Sequence, residues 1–218
     1  MVILAPSPTA LQSLLDICNE YAEEFEILYN AKKTKCMCFK SKLMKDIRVP
    51  SFQLKEQNIA NVTVQKYLGV FISEDSKDDL DIERQMKSVY ARGNSLIRKF
   101  KACCVDVKAK LFKAFCSNMY GCPLWCKFNK ASMTKLDISY KRVYKHLLSL
   151  RKESITRKML EYRCDPMKVL LRKLVNSFRV RVFSSNNVII RAIAGSTFNV
   201  SCILTRQWND SCFSLQSS

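Results

Sequence analysis

Asn61-Val62-Thr63-Val64-Gln65-Lys66-Tyr67-Leu68-Gly69-Val70-Phe71-Ile72-Ser73-Glu74-Asp75-Ser76-Lys77-Asp78-Asp79-Leu80-Asp81 is the stretch that decides the fold. Up to Ser73 apolar and polar side chains alternate, the pattern of a half-buried strand. From Asp78 onward the apolar residues Ile82, Met86, Val89, Tyr90, Ile97 and Phe100 follow a helical period, with Asp78, Asp79 and Asp81 in a first turn where the helix dipole favours acids. Gly93 lies inside that helix at some cost in propensity. A strand-rich segment therefore gives way to a helical one near residue 78.

Upstream, Thr9 and Gln12 read as a capping-box pair ahead of Leu11, Leu14, Leu15, Cys18, Ala22 and Phe25, which predicts an amphipathic helix over 9–27. Thr34 to Phe39 and Ser51 to Lys55 alternate as strands. The first third is expected to be one helix on a small antiparallel sheet. Downstream, Val107, Leu111, Phe115 and Met119 recur in steps of four, with Lys108, Lys110 and Lys113 turned away. Leu136, Tyr140, Val143, Tyr144, Leu147 and Leu148 share one face of a further helix, and Lys141, Arg142 and Lys145 lie off it. Shorter helices are expected at 154–163 and 167–180, then a turn at 184–187 and a short apolar element at 188–194. The expected class is α+β, with segments 1–77, 78–183 and an unassigned tail 184–218.

Charge follows the same division. The 218 residues carry 37 Lys and Arg against 19 Asp and Glu, a net charge of +18. Residues 1–81 hold 10 basic and 12 acidic residues, and residues 82–218 hold 27 and 7, so the whole excess is C-terminal. Such a field concentrates polyanions, and binding a phosphate backbone releases its condensed counterions. Nucleic acid is the first partner to expect.

Other classes are disfavoured. No run approaches the roughly 20 apolar residues of a bilayer span. Pro6 and Pro8 and the missing basic n-region argue against a signal peptide, so an intracellular protein of nucleus or cytoplasm is expected, without membrane or small-molecule partners. Eleven irregularly spaced cysteines read as reduced thiols rather than a disulfide framework. No C-x2-C pair occurs, His146 is the only histidine and reads as an ordinary partly buried side chain, and four glycines leave no phosphate-binding loop. The run Glu74-Asp75 through Asp78-Asp79, Asp81 and Glu83 is the one acidic cluster that could hold a divalent metal, although adjacent helical aspartates diverge by about 100°.

Met1-Val2-Ile3-Leu4-Ala5-Pro6-Ser7-Pro8, Asn30-Ala31-Lys32-Lys33-Thr34-Lys35 leading into Met37 and Phe39, and Tyr67-Leu68-Gly69-Val70 resemble, in this order, the reverse transcriptase of non-LTR retrotransposons, most closely the jockey-like LINE group. The likeness continues through Tyr90-Ala91-Arg92-Gly93-Asn94, Arg98-Lys99-Phe100, Val107-Lys108 with Leu111-Phe112, and Tyr120-Gly121 with Leu124-Trp125, and fades near residue 190. It implies the end of a palm followed by a mostly helical thumb. By the resemblance Lys33 matches the palm lysine proposed to protonate departing pyrophosphate. Tyr67, Leu68 and Gly69 match the primer grip, a hairpin that holds the primer end against the active site. Arg92, Arg98, Lys101, Lys108 and Lys113 fall in the region that tracks an RNA or RNA–DNA template–primer duplex by its backbone.

The intact enzymes of that family use Mg2+, held as two ions about 4 Å apart by aspartates of two palm motifs. Both motifs are expected upstream of Met1, so this chain is expected to bind no cofactor and to be inactive alone. Two readings from other classes remain: a non-catalytic basic helical module that binds nucleic acid, and an inert helical fragment.

Overall fold

The computed structural model describes residues 1–40, 49–55, 57–150 and 154–195. The tail expected to start at 184 therefore lies outside the described residues from 196 onward. The protein is α+β, and its chain divides into two compact units, residues 1–77 and 78–218.

The first unit opens with α1 (Pro8–Glu24). Its N-cap is Ser7, whose Oγ accepts from the Ala10 N–H at 3.2 Å, with Pro8 at the first helical position. Thr9 and Gln12 thus do not form the expected capping box. The Gln12 amide instead reaches the Gln53 backbone, accepting its N–H and donating to its carbonyl, both at 3.2 Å. The helix stops short of residue 27 because Glu26 turns left-handed (φ 53°) and Ile27 N–H closes on Ala22 O at 2.8 Å. That closure is a Schellman motif made without glycine.

Strands β1 (Lys35–Cys36), β2 (Phe52–Leu54) and β3 (Gln57–Asn61) form one sheet in the order β1-β3-β2. β2 and β3 pair antiparallel, but β1 and β3 pair parallel, with Lys35 opposite Ala60. The expected all-antiparallel sheet is therefore corrected to a mixed one. A hairpin carries the chain back from β2 into β3, so β3 runs in the direction of β1 when the two lie side by side. Leu15 of α1 packs with Phe52, Leu54 and Ile59 to make this unit's core.

The stretch 61–73, read as one strand, breaks at Val62-Thr63 and folds back as a second sheet, β4 (Val64–Tyr67) on β5 (Val70–Ser73). Its two-residue loop places Leu68 at φ 46° and Gly69 at φ 85°. Positive φ at both positions is the type I′ turn that matches the twist of a hairpin. Glycine takes this conformation freely; for Leu68 it costs about 1–2 kcal/mol.

The second unit is helical: α2 (Asp79–Lys99), α3 (Val105–Cys116), α4 (Lys130–Leu147), α5 (Ile155–Glu161), α6 (Met167–Phe183) and α7 (Val188–Gly195), with a short 3₁₀ turn at Cys122–Leu124. α2 crosses α4 at Gly93, where an added Cβ would overlap Val143 Cγ1. Phe112 of α3 sits between Tyr140 and Tyr144 of α4, each ring pair 4.9 Å apart. The buried hydroxyls are satisfied: Tyr140 donates to Asp165 O and Tyr144 to Lys158 O, both at 3.2 Å. All six residues of the expected α4 stripe are buried. On α3 the buried face is Ala109, Phe112 and Cys116, while Val107 and Phe115 are exposed, so the expected stripe is corrected. Among the described residues no helix is long and apolar enough to cross a membrane.

Candidate nucleic-acid interface

Between residues 84 and 136 Asp106 is the single acid, so cations dominate α2, α3 and the loops beside them. Arg98 and Lys99 close the last turn of α2, where basic charge meets the negative end of the dipole. Both are exposed, as are Lys101 in the following turn and Lys110 and Lys113 on α3; Lys108 is half-buried. The helices that carry or border these charges, α2 and α3, pack against each other. Among the described residues Arg98, Lys101, Lys108 and Lys113 form no ion pair. Four acids of this unit pair with other cations: Glu83 with Lys87 and Asp137 with Lys141 at 2.7 Å, Glu161 with Lys158 at 3.1 Å, and Asp165 with Lys173 at 2.6 Å.

Arg92 stands apart from that set. Its guanidinium donates to Ser88 O and Asn118 O, each at 3.2 Å, so it pins α2 to the loop after α3. Lys99 and Lys110 take its place as exposed cations. Helical phase separates Lys110 from the apolar residues of α3, whereas nothing in the sequence marks the carbonyl that Arg92 reaches.

The acidic cluster is a structural clasp. Asp78 Oδ2 accepts from the N–H groups of Cys126 and Lys127 at 2.8 and 2.7 Å. Asp79 Oδ1 accepts from the Asn129 N–H at 2.9 Å and from the Ser132 hydroxyl. Asp81, 1% exposed, takes Arg84 Nε at 2.6 Å and Nη2 at 3.1 Å on its two oxygens, and Trp125 Nε1 at 2.8 Å. Burial, assisted by the negative charges of Asp81 and Asp79, raises the Asp78 pKa, while the two N–H donors oppose that rise. Among the described residues no group of three or more His, Cys, Asp and Glu is placed to hold a metal. Asp78 Oδ2 and both oxygens of Asp79 and of Asp81 already accept from protein donors.

The remaining candidates lie in the first unit. Lys33 is exposed in the turn after Asn30, which accepts its N–H on both the backbone and side-chain oxygens at 3.0 and 3.1 Å. Tyr67, Leu68 and Gly69 form the hairpin tip, with Tyr67 43% and Leu68 73% exposed. Lys77 and Ser73 donate to Asp75 just past the hairpin and hold its carboxyl well below the usual range. His146 is exposed in the last turn of α4, correcting the expectation of partial burial. The nine described cysteines are free thiols; burial raises Cys116 to about 11 and Cys122 to about 12, away from reactivity at neutral pH. No protein family, curated protein or solved structure matches this chain.

Proposed function

We propose that this chain is the end of the palm and the thumb of a reverse transcriptase of the LINE type, and that residues 78–183 hold RNA–DNA template–primer duplex through its phosphates. The observation that carries the proposal is the group of exposed cations Arg98 and Lys99 at the end of α2, Lys101 in the turn after it, and Lys110 and Lys113 on the packed α3, with Asp106 the single acid between residues 84 and 136. Such a group neutralises a regular line of phosphates and reads no base, which suits a surface that must follow any sequence. In the same reading, the exposed Tyr67-Leu68-Gly69 tip meets the primer end, and Leu68 is held in a strained conformation of the kind found at functional contacts.

Nucleotidyl transfer is not assigned to these residues. Asp78, Asp79 and Asp81 are committed to holding the 125–132 segment, so the activity proposed for this chain is duplex binding. Fluorescence anisotropy with labelled RNA–DNA hybrid tests it. Binding of several unrelated sequences with equal affinity, weakened by Arg98→Ala with Lys101→Ala, is the expected result. Unchanged binding in that variant contradicts the proposal.

A further inference from the structure

Two helical surfaces carry apolar side chains that their own units leave uncovered, and their charges are opposite. On α1, Ile17, Tyr21 and Phe25 recur in steps of four and are 58%, 49% and 54% exposed, with the Tyr21 and Phe25 rings 4.4 Å apart. Glu20 and Glu24 border this stripe, and residues 1–31 contain no Lys or Arg. At the other end of the chain, Val180, Phe183, Val188 and Ile189 are 56%, 49%, 79% and 70% exposed on α6 and α7, and no residue of α7 is buried. Arg179, Arg181 and Arg191 accompany them, and residues 166–195 contain no Asp or Glu.

We propose that the chain self-associates, with the acidic apolar face of α1 in one copy docking on the basic apolar face of α6 and α7 in another. Like-with-like pairing of either face would bring equal charges together, which disfavours it. The crossed pairing removes apolar surface from water on both sides and places Glu20 and Glu24 against arginines. The α1 stripe from Ile17 to Phe25 runs about 12 Å along the helix, and the opposing face joins the last turn of α6 to the start of α7. Two copies meeting reciprocally cover both faces of each, whereas a one-way contact leaves open ends that add further copies. A nucleic acid would explain the arginines but not the exposed valines and isoleucine beside them. The inference does not depend on the duplex-binding reading, since it uses none of the cations assigned there.

Sedimentation velocity on the full, nuclease-treated chain over a wide concentration range is the test. Concentration-dependent association is expected, weakened roughly tenfold or more by Ile17→Glu, by Ile189→Glu, or by either charge-reversed pair, Glu20→Lys with Glu24→Lys or Arg181→Glu with Arg191→Glu. Mixing the two charge-reversed proteins should restore association, which also shows that both are folded. A monomer at every concentration overturns the proposal. So does association sensitive to only one of the two faces, or a mixture that stays as weak as its components.

Discussion

The Trp125 indole donates Nε1–H to Asp81 Oδ2 at 2.8 Å, with the two residues 2% and 1% exposed. The same carboxylate takes Arg84 on both oxygens, and Arg84 also donates to Tyr120 O at 3.0 Å. One buried acid thus organises the start of α2 and the whole 120–125 turn. Removing it leaves a guanidinium with little solvent around it and an indole N–H without an acceptor.

Asp81→Ala should therefore cost about 3–5 kcal/mol, the loss seen when one partner of a buried pair is deleted. Asp81→Asn keeps acceptor capacity and should cost less. Urea unfolding followed by circular dichroism measures both. Equal, small losses would mean that Arg84 and Trp125 find other partners.

Asp78 separates charge from hydrogen bonding. Asp78→Ala removes the acceptor for the Cys126 and Lys127 N–H groups and should cost about 1–3 kcal/mol, whereas Asp78→Asn keeps an acceptor and drops the repulsion from Asp79 and Asp81. Its pKa is raised in the fold, so the folded state binds the proton more readily than the unfolded chain. As pH falls from neutral through the window between the raised and the ordinary aspartate values, Asp78 contributes increasing stability relative to Asn. Asp75 has the opposite sign, its contribution being lost as pH falls below the ordinary value. Unfolding midpoints of wild type and Asp78→Asn from neutral pH to about 4 should converge or cross in wild type's favour. A constant difference would show that Asp78 is not perturbed.

How much of this was legible in sequence differs by element. The α4 stripe was readable because Leu136, Tyr140, Val143, Tyr144, Leu147 and Leu148 are large and share one helical phase. α3 is apolar on two faces, and the ring contacts of Phe112 with Tyr140 and Tyr144 select the face made partly of small Ala109 and Cys116. Alternation alone makes 61–73 one strand; a hairpin at Tyr67-Leu68-Gly69 was implied only by the primer-grip resemblance, and it depends on Leu68 adopting a left-handed turn that its side chain does not advertise. The cationic character of 82–218 was plain from composition. That Arg92 is a pin and the aspartates a clasp was not, since the Asn118 carbonyl that Arg92 reaches and the Cys126, Lys127 and Asn129 N–H groups that Asp78 and Asp79 accept are main-chain groups some 26 to 50 residues away.

Gly93 gives a packing test. Gly93→Ala should destabilise by about 1–3 kcal/mol by forcing Val143 out of place. Val143→Ala opens the same space, so the double variant should be more stable than the sum of the single losses predicts. Additive losses would mean that α2 and α4 separate without strain.

The clasp also bears on chemistry. A purified chain of these 218 residues should incorporate no nucleotide on a primed RNA template with magnesium or manganese. Incorporation above a heat-killed control, abolished by Asp78→Asn with Asp79→Asn, would make the acidic cluster a metal site after all.

The central claim is that exposed cations of the helical unit follow a phosphate backbone, and the salt dependence of hybrid binding tests it most directly. If about five phosphates are neutralised, log K against log salt should fall with a slope of roughly −4 to −5, with dissociation constants near 10⁻⁴–10⁻⁶ M. Arg98→Ala with Lys101→Ala should reduce the magnitude of that slope by up to about two, one phosphate contact each. Arg92→Ala should lower stability and leave the slope nearly intact. A slope near zero, or one that only Arg92→Ala changes, would contradict the account.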